Sequence, residues 1–329
     1  MVLWLVTSPL LYVWSWLAPV FALAALVGAL SYAVPYVLLA FAFGERDLKQ
    51  RYATKWALVT GGSSGIGRAL VERCAAQGLN VVVVALDDAL LHDLVKALGE
   101  RYAPLEFRAV GVDLGRSDGA YMDAVRDATR ELDVGVVFCN AGFITTGFFA
   151  ETSAARLLAN VECNSTSAVR VAHHFAPLLR ARARGGALCF TSSPVHLMPA
   201  PFSAIYGATK AFLTAFASAL AIELRADGVD VCVCHPSPVS TRFYTDAHDL
   251  DAINFFKRKG VPPTDVAAVF FRAIGRVVVA DHGWFPVVTT LASRIVHFNL
   301  LADVMKFALP LLPDYQVAKK SAAVAKKAD

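Results

Sequence analysis

From Met1 to Gly44 the chain carries no charged side chain; the first is Glu45. Leu, Val, Ala and Phe are interleaved there with Trp4, Trp14, Trp16, Tyr12, Tyr32 and Tyr36. A bilayer core needs about 20 apolar residues as helix. The run therefore predicts one crossing with residues to spare, or two as a tight hairpin. Pro9, Pro19 and Pro35 bend or punctuate it, and Pro19 divides a segment near Leu3–Leu17 from one near Val20–Phe43. A cleaved signal peptide fits poorly, because the run lacks a positive n-region and far exceeds the usual apolar core of about 7–15 residues. A buried soluble helix would need its whole circumference covered.

Beyond Thr54 short apolar runs alternate with stretches of helical period, the pattern of a parallel sheet covered on both faces. The runs predict strands at Trp56–Thr60, Asn80–Leu86, Phe107–Val112, Gly135–Cys139, Gly186–Thr191 and Val229–Cys234, with a last one near Gly283–Val288. Helices are predicted over Arg68–Gln77, Asp88–Tyr102, Tyr121–Glu131, Ala155–Arg182 in one long piece, and Ser203–Ala226. The fold class is α/β: a doubly wound, Rossmann-like parallel sheet with an N-terminal transmembrane anchor. Trp284–Leu312 is apolar but holds Arg294, His297, Asp303 and Lys306. A central Arg, Lys or Asp costs about 2.5–3.5 kcal/mol in a bilayer. That segment reads as an amphipathic helix on the membrane or over a cleft, or as an ordinary surface helix. The expected partition is 1–44 for the anchor, 45–290 for the α/β domain, 291–318 for an amphipathic helix and 319–329 for a disordered basic tail.

The hydrophobic fraction of 56% and the mean hydropathy of +0.51 are high for a soluble protein, and the N-terminal run holds the excess. Arg46, Lys49, Arg51 and Lys55 follow that run, which places the α/β body on the cytosolic side by the positive-inside rule. The net charge of +4 is spread out, and without a clustered basic stripe nucleic acid is not an expected partner. Six cysteines show no CxxC or Cys/His spacing, so they predict packed thiols and no metal site.

Thr60-Gly-Gly-Ser-Ser-Gly-Ile-Gly67 follows the first predicted strand and opens a helix. Gly61 permits a tight turn, while Gly65 and Gly67 let backbone and helix approach a pyrophosphate that the helix N-terminus attracts. Tyr206 and Lys210 stand four apart, on one face of a helix. A phenol with a pKa near about 10 holds its proton too tightly for efficient acid–base work at neutral pH. A nearby ammonium lowers that value by favouring the phenolate.

With Asn164 and Ser193 between the glycine turn and Tyr206-Gly-Ala-Thr-Lys210, the order of features resembles the short-chain dehydrogenase/reductase family, over roughly Thr54 to Pro286. That family moves hydride between a nicotinamide and a carbonyl or alcohol. The resemblance implies an NAD(P)-dependent oxidoreductase acting on CH–OH groups. Tyr206 would be its acid and base, with Lys210 tuning it and holding the nicotinamide ribose. Ser193 would orient the substrate oxygen and Asn164 would hold a relay water. It also implies a cofactor site of Gly61, Ser63, Ser64, Gly65, Ile66, Gly67, Asp113, Asn140, Tyr206, Lys210 and Thr241. In that site Asp113 holds the adenine, Asn140-Ala-Gly142 flanks the cofactor and Thr241 bonds the carboxamide.

Two places depart from the family pattern. Ala85 stands where NAD-using members usually carry an acid, and Leu86 where NADP-using members often carry arginine. The missing acid favours NADP and leaves NAD open; Ser63, Ser64 and Arg68 are available near a 2′-phosphate, while Asp87 and Asp88 could swing in. Ser237 replaces the usual glycine after Pro236 and puts the path of that loop in question.

The chain is similar to membrane-anchored members: very-long-chain 3-oxoacyl-CoA reductases, hydroxysteroid dehydrogenases and 3-ketodihydrosphingosine reductases. The expected substrate is a lipid-like ketone or alcohol, namely a 3-keto lipid, a fatty acyl or a steroid. Phe243, Tyr244, Phe255 and Phe256, within Pro238–Pro263, suit an apolar molecule. The ending Lys326-Lys-Ala-Asp329 looks like a dilysine retrieval signal, which implies the endoplasmic reticulum membrane with the catalytic domain facing the cytosol. Family members often pair through the helices here represented by Ala155–Arg182 and Ser203–Ala226, so a homodimer is an expectation. His196, in the loop before Tyr206, reads as a surface residue. The alternative is a catalytically inactive, membrane-tethered nucleotide-binding or scaffold protein of the same fold. The intact set of Tyr206, Lys210, Ser193 and Asn164 argues against it.

Overall fold

The computed structural model describes residues 2–245 and 247–319, with side chains from Trp14 onward. The tail expected beyond Lys319, with Lys326 and Lys327, lies outside the described residues. The chain forms two units, Met1–Gly44 and Glu45–Asp329.

The first unit is one helix, α1 (Val2–Val37), followed by a π turn at Leu38–Ala42. Its stretch Trp14–Ala42, of 29 residues and mean hydropathy 2.1, is long and apolar enough to cross a membrane. The helix continues through Pro19 without a turn there. A proline removes one backbone hydrogen bond, but reversing the chain needs turn-forming neighbours. Pro19 stands between Ala18 and Val20.

In the second unit α2 (Leu48–Tyr52) precedes β1 (Trp56–Thr60). Then follow α3 (Gly65–Ala76), β2 (Asn80–Ala85), α4 (Ala89–Arg101), β3 (Phe107–Gly111), α5 (Tyr121–Thr129) and β4 (Val134–Cys139). The chain continues through α6 (Ala154–Val161), α7 (Ser167–Arg180), β5 (Gly186–Thr191), α8 (Ala204–Glu223) and β6 (Val229–Pro236). It ends with α9 (Asp251–Arg258), α10 (Pro263–Ala273), β7 (Val279–His282), α11 (Trp284–Ile295) and α12 (Phe298–Ala308).

All seven strands are parallel, in the order β3-β2-β1-β4-β5-β6-β7. The winding direction reverses between β1 and β4, and that reversal opens a crevice at their carboxyl ends. β1, β4 and β5 are buried over their whole length, which is why they read as unbroken apolar runs. One sheet face, with Leu58, Val82, Val137 and Leu188, packs on Val125, Phe175 and Leu213 of α5, α7 and α8. On the other, Phe138 of β4 stacks on Phe271 at 6.1 Å and meets Phe270 edge-on at 5.7 Å, both from α10. These three rings are fully buried, and each contributes about 2–3 kcal/mol by leaving water.

Three local expectations change. The long helix over Ala155–Arg182 is interrupted by a π turn at Glu162–Thr166, between α6 and α7. The last strand is Val279–His282, and the segment expected as strand, Gly283–Val288, instead opens α11. Gly283 takes φ +80° and turns the chain, and Ser237 Oγ accepts from Phe285 N at 3.0 Å, which satisfies an early helix donor. Ser237 thus closes the β6 loop onto α11. The single amphipathic helix expected over 291–318 is two helices, α11 and α12, at 107°.

Candidate active site

The crevice is built from strand ends. Thr60 Oγ1, at the end of β1, accepts from the backbone N–H groups of Asn140 and Ala141 at 2.9 and 3.0 Å. Asn140 in turn donates through Nδ2 to Thr60 O at 3.2 Å and accepts at Oδ1 from Thr191 Oγ1 at 2.9 Å. One amide therefore rivets β1, β4 and β5 at the reversal point. Gly61 takes φ +64°, and a Cβ there would sit 2.8 Å from Ala141 Cα, so no other residue fits. Gly65 takes φ +55° beneath Thr241, whose Cγ2 would lie 2.9 Å from an added Cβ. The glycine turn and the loop after β6 are thereby held face to face.

The π turn places Asn164 at the back of the crevice, 1% exposed. Its Oδ1 accepts from Phe143 N at 2.9 Å and its Nδ2 donates to Phe143 O at 3.0 Å. This two-way clasp fixes the loop after β4. Nδ2 also lies 3.3 Å from Thr209 Oγ1 of α8. A π turn inside an α-helix frequently marks a functional position.

α8 brings Tyr206 and Lys210 to the crevice on one face. Lys210, 3% exposed, donates from Nζ to Thr191 O at 2.8 Å, and its Nζ lies 5.6 Å from the Tyr206 ring centroid. Burial pushes the Lys210 ammonium down to about 8, so it is still mainly cationic at pH 7. Burial pushes the Tyr206 phenol up to about 12, and its hydrogen bond with Ser193 draws it partway back. The lowering expected from Lys210 is therefore not the balance here: desolvation dominates, and the ammonium is turned toward a carbonyl. At neutral pH the pair is a protonated phenol beside a cation, which is a proton-donating state.

Gly61, Ser63, Ser64, Gly65, Ile66, Asp113, Asn140, Ser193, Tyr206, Lys210 and Thr241 all line one cavity of about 970 Å³. Gly67 stays behind the lining, where an added Cβ would meet Gly61 O at 2.0 Å. Asn164 also acts from behind, through the Phe143 backbone. Asp87 lies at the surface, 2.7 Å from His92 Nε2, and Asp88, which also lines the cavity, caps α4 by accepting from Leu91 N at 3.1 Å. Apolar side chains form part of the remaining wall, among them Phe243, Ile253, Phe256, Phe285 and Met305, beside the charged Arg156, Arg242 and Asp314. A second cavity of about 610 Å³ shares Ser63, Ser64, Thr241 and Arg242 with the first, and adds Arg68 and Lys257.

One constellation was not legible in the sequence. Asp281 Oδ1 lies 2.8 Å from His235 Nδ1, and His235 Nε2 lies 3.0 Å from Thr214 Oγ1. Thr214 Oγ1 meets Ser192 Oγ at 2.8 Å, and Ser192 donates to Lys210 O at 2.7 Å. The chain ends beside Ser193 and under Lys210. His196 belongs here too, which corrects its surface reading. Its ring lies 4.2 Å from that of His235 and its Nδ1 lies 2.8 Å from Ser193 O. Burial pushes it down to about 4, so it is neutral. The register of β6 and β7 sets His235 opposite Asp281, a pairing that only the folded sheet reveals.

Comparison with known proteins identifies relatives of this chain. A family model described as short chain dehydrogenase matches residues 55–250. The very-long-chain 3-oxoacyl-CoA reductase of Podospora anserina is 33% identical over 69% of this chain and 66% of its own length. Hydroxysteroid dehydrogenase-like protein 1 of Gallus gallus is 29% identical over 65% of this chain and 64% of its own length. The matches span just under two thirds of these relatives. A short-chain dehydrogenase from Sphingobium yanoikuyae, solved in complex with NADPH, is similar with a TM-score of 0.61 and 27% identity, over 77% of this chain and 92% of that one.

Proposed function

The chain belongs to the short-chain dehydrogenase family, and from that premise we propose that it is an oxidoreductase passing hydride from NADPH to the ketone of a lipid-like substrate. The carrying observation is the convergence of Tyr206, Lys210 and Ser193 on one cavity that also has a group of apolar side chains, Phe243, Ile253, Phe256, Phe285 and Met305, in its wall. When bound, the dinucleotide supplies the hydride. Ser193 orients the substrate oxygen, and Tyr206 gives it a proton. The Lys210 cation stabilises the phenolate that is left. Asn164 fixes the loop after β4, and the second lone pair of its Oδ1 is available to a relay water.

The residues present fit a dinucleotide. Gly61, Ser63, Ser64, Gly65 and Ile66, at the N-terminus of α3, line the cavity with Thr241, and the two glycines let the turn lie against Ala141 and Thr241 where a Cβ would clash. Asp113 lines the cavity and accepts from Gly115 N at 2.8 Å, which sets its carboxylate for the adenine. NADPH is favoured over NADH because Ala85 and Leu86, at the end of β2, line the cavity and offer no carboxylate. Ser63, Ser64, Arg242 and Lys257 supply hydroxyls and cations for the additional phosphate, with Arg68, paired to Glu72 at 2.9 Å, beside them. Trp14–Ala42 anchors the protein in the endoplasmic reticulum membrane, and the basic residues after it hold the catalytic unit, 45–290, on the cytosolic side. Leu158, Leu178, Phe212 and Ile222 stand exposed on α6, α7 and α8, and a homodimer would cover them. The names of the relatives direct the choice of ketone to long 3-oxoacyl thioesters and steroids.

The test is Tyr206→Phe, assayed with NADPH against 3-oxoacyl-CoA, 3-ketosphinganine and ketosteroids in parallel. Turnover of the ketone that the parent protein reduces falls at least about 100-fold while NADPH binding is kept. Full activity in the variant would end the reading. Binding of NADPH by the parent protein without oxidation by any ketone would favour a scaffold.

A further inference from the structure

α12 is apolar on two sides, although it lies at the surface. Leu300, Val304 and Phe307, then Leu311 beyond its end, form an exposed stripe at helical spacing, with Phe307 73% and Leu311 84% exposed. On the opposite side Met305 and, past the helix end, Leu309 and Leu312 line the 970 Å³ cavity. α11 continues the outer stripe with Trp284, Val288, Leu291 and Ile295, the last 84% exposed. A surface helix in water shows one apolar stripe and one polar face. Contiguous apolar patches of this kind mark a binding surface.

Neither helix can cross a bilayer. At about 1.5 Å per residue each is about 17–18 Å long, against a hydrocarbon core of about 30 Å. Their bend of 107° and flanking charges suit the interfacial layer instead. Arg294 and Lys306 outnumber Asp303 on this pair, which complements anionic headgroups. Lys306 Nζ lies 5.5 Å from the Phe307 ring centroid, the posture of a lysine whose stem covers apolar surface while its head reaches water. The candidate span ends at Ala42 and the second unit begins at Glu45, so the chain itself keeps this unit near a bilayer.

We propose that the α11–α12 face lies in the bilayer interface and that lipid substrate passes from the membrane directly into the cavity, past Met305, Leu309 and Leu312. This rests on the reductase reading of that cavity. The full-length protein in phosphatidylcholine/phosphatidylserine liposomes, carrying an environment-sensitive fluorophore on Ile295→Cys or Phe307→Cys, tests the placement. Its emission shifts to the blue and is quenched by spin-labelled lipid, whereas the same label on Lys96→Cys, exposed on α4, is not affected. Delivery is tested with Phe307→Asp/Leu311→Asp. The KM for a long-chain ketone held in the bilayer rises by about tenfold, while turnover of a short water-soluble ketone is unchanged. A label shielded but untouched by spin-labelled lipid, with burial that depends on protein concentration, would mean that a second copy covers the face, and would overturn the proposal. An unchanged KM would overturn direct delivery. If the parent protein oxidised NADPH with neither ketone, the reductase reading would fail, and the quenching result alone would then decide where this face lies.

Discussion

The crevice and the α11–α12 face break the ordinary rule of burial in opposite directions. In the crevice polar groups are withdrawn from water: Asn164, Ser192, Lys210 and His235 are 1–3% exposed. On the helix pair large apolar side chains stay outside. An unpaired buried polar group costs about 1–3 kcal/mol, and an exposed apolar stripe forgoes its burial. The crevice offsets its cost internally, because Asn164, Ser192, Lys210 and His235 all have hydrogen-bond partners. The helix pair has no such compensation within the described residues. One region is completed by the chain itself, and the other by something apolar outside it.

The hardest test of this contrast replaces the most expensive buried group. Lys210→Met keeps the length and apolar stem of the side chain but removes its charge. Ketone reduction falls by about 10²–10⁴-fold. Thermal stability does not fall and is expected to rise, since a desolvated cation has been removed. Steady-state kinetics and a melting curve on the same sample check both. Lower stability together with lost activity would show Lys210 to be structural.

The same contrast explains what could be read from the chain. β1, β4 and β5 were legible because strands buried on both faces leave unbroken apolar runs. The glycine turn was legible because Gly61 is sterically required where it stands. Tyr206 and Lys210 share a face by helical period alone. The π turn around Asn164 was not legible, because what accompanies it is a clasp on Phe143, a residue of another segment. The last strand was misplaced because Trp284-Phe-Pro-Val-Val288 has the composition of a strand. Its helical fate depends on Ser237, 48 residues upstream. The outer stripe of α12 follows helical period, but which stripe faces the cavity depends on the bend after Ile295.

A smaller effect concerns the partners behind the crevice. His235→Leu leaves the Asp281 carboxylate without its imidazole partner and Thr214 without a ring nitrogen. A loss of about 2 kcal/mol in stability is expected, measured by denaturant unfolding. If the chain positions Ser193 and Lys210, kcat also falls while KM for NADPH holds. His235→Gln, which keeps one polar contact, recovers part of both. Equal activity in all three proteins would reduce this network to packing.

The smallest effect is the sharpest in sign. Burial holds Lys210 at about 8, below its ordinary value of 10.5. As pH rises through about 8 the folded protein loses that proton, and with it the cation that stabilises the phenolate. The reductive kcat/KM should therefore fall, by about tenfold per pH unit where this limb dominates. Stability moves the other way. Between about 8 and 10.5 the unfolded chain binds a proton that the folded chain does not, so this group's contribution to stability rises with pH and is lost again as pH falls through about 8. Lys210→Arg, whose guanidinium does not titrate in this range, should lose the alkaline limb in any activity it keeps. Subtracting its melting temperatures from those of the parent between pH 8 and 10.5 isolates the stability term. A parent profile flat to pH 10, with the same melting difference throughout, would mean that Lys210 keeps its proton and that the crevice does not strain it.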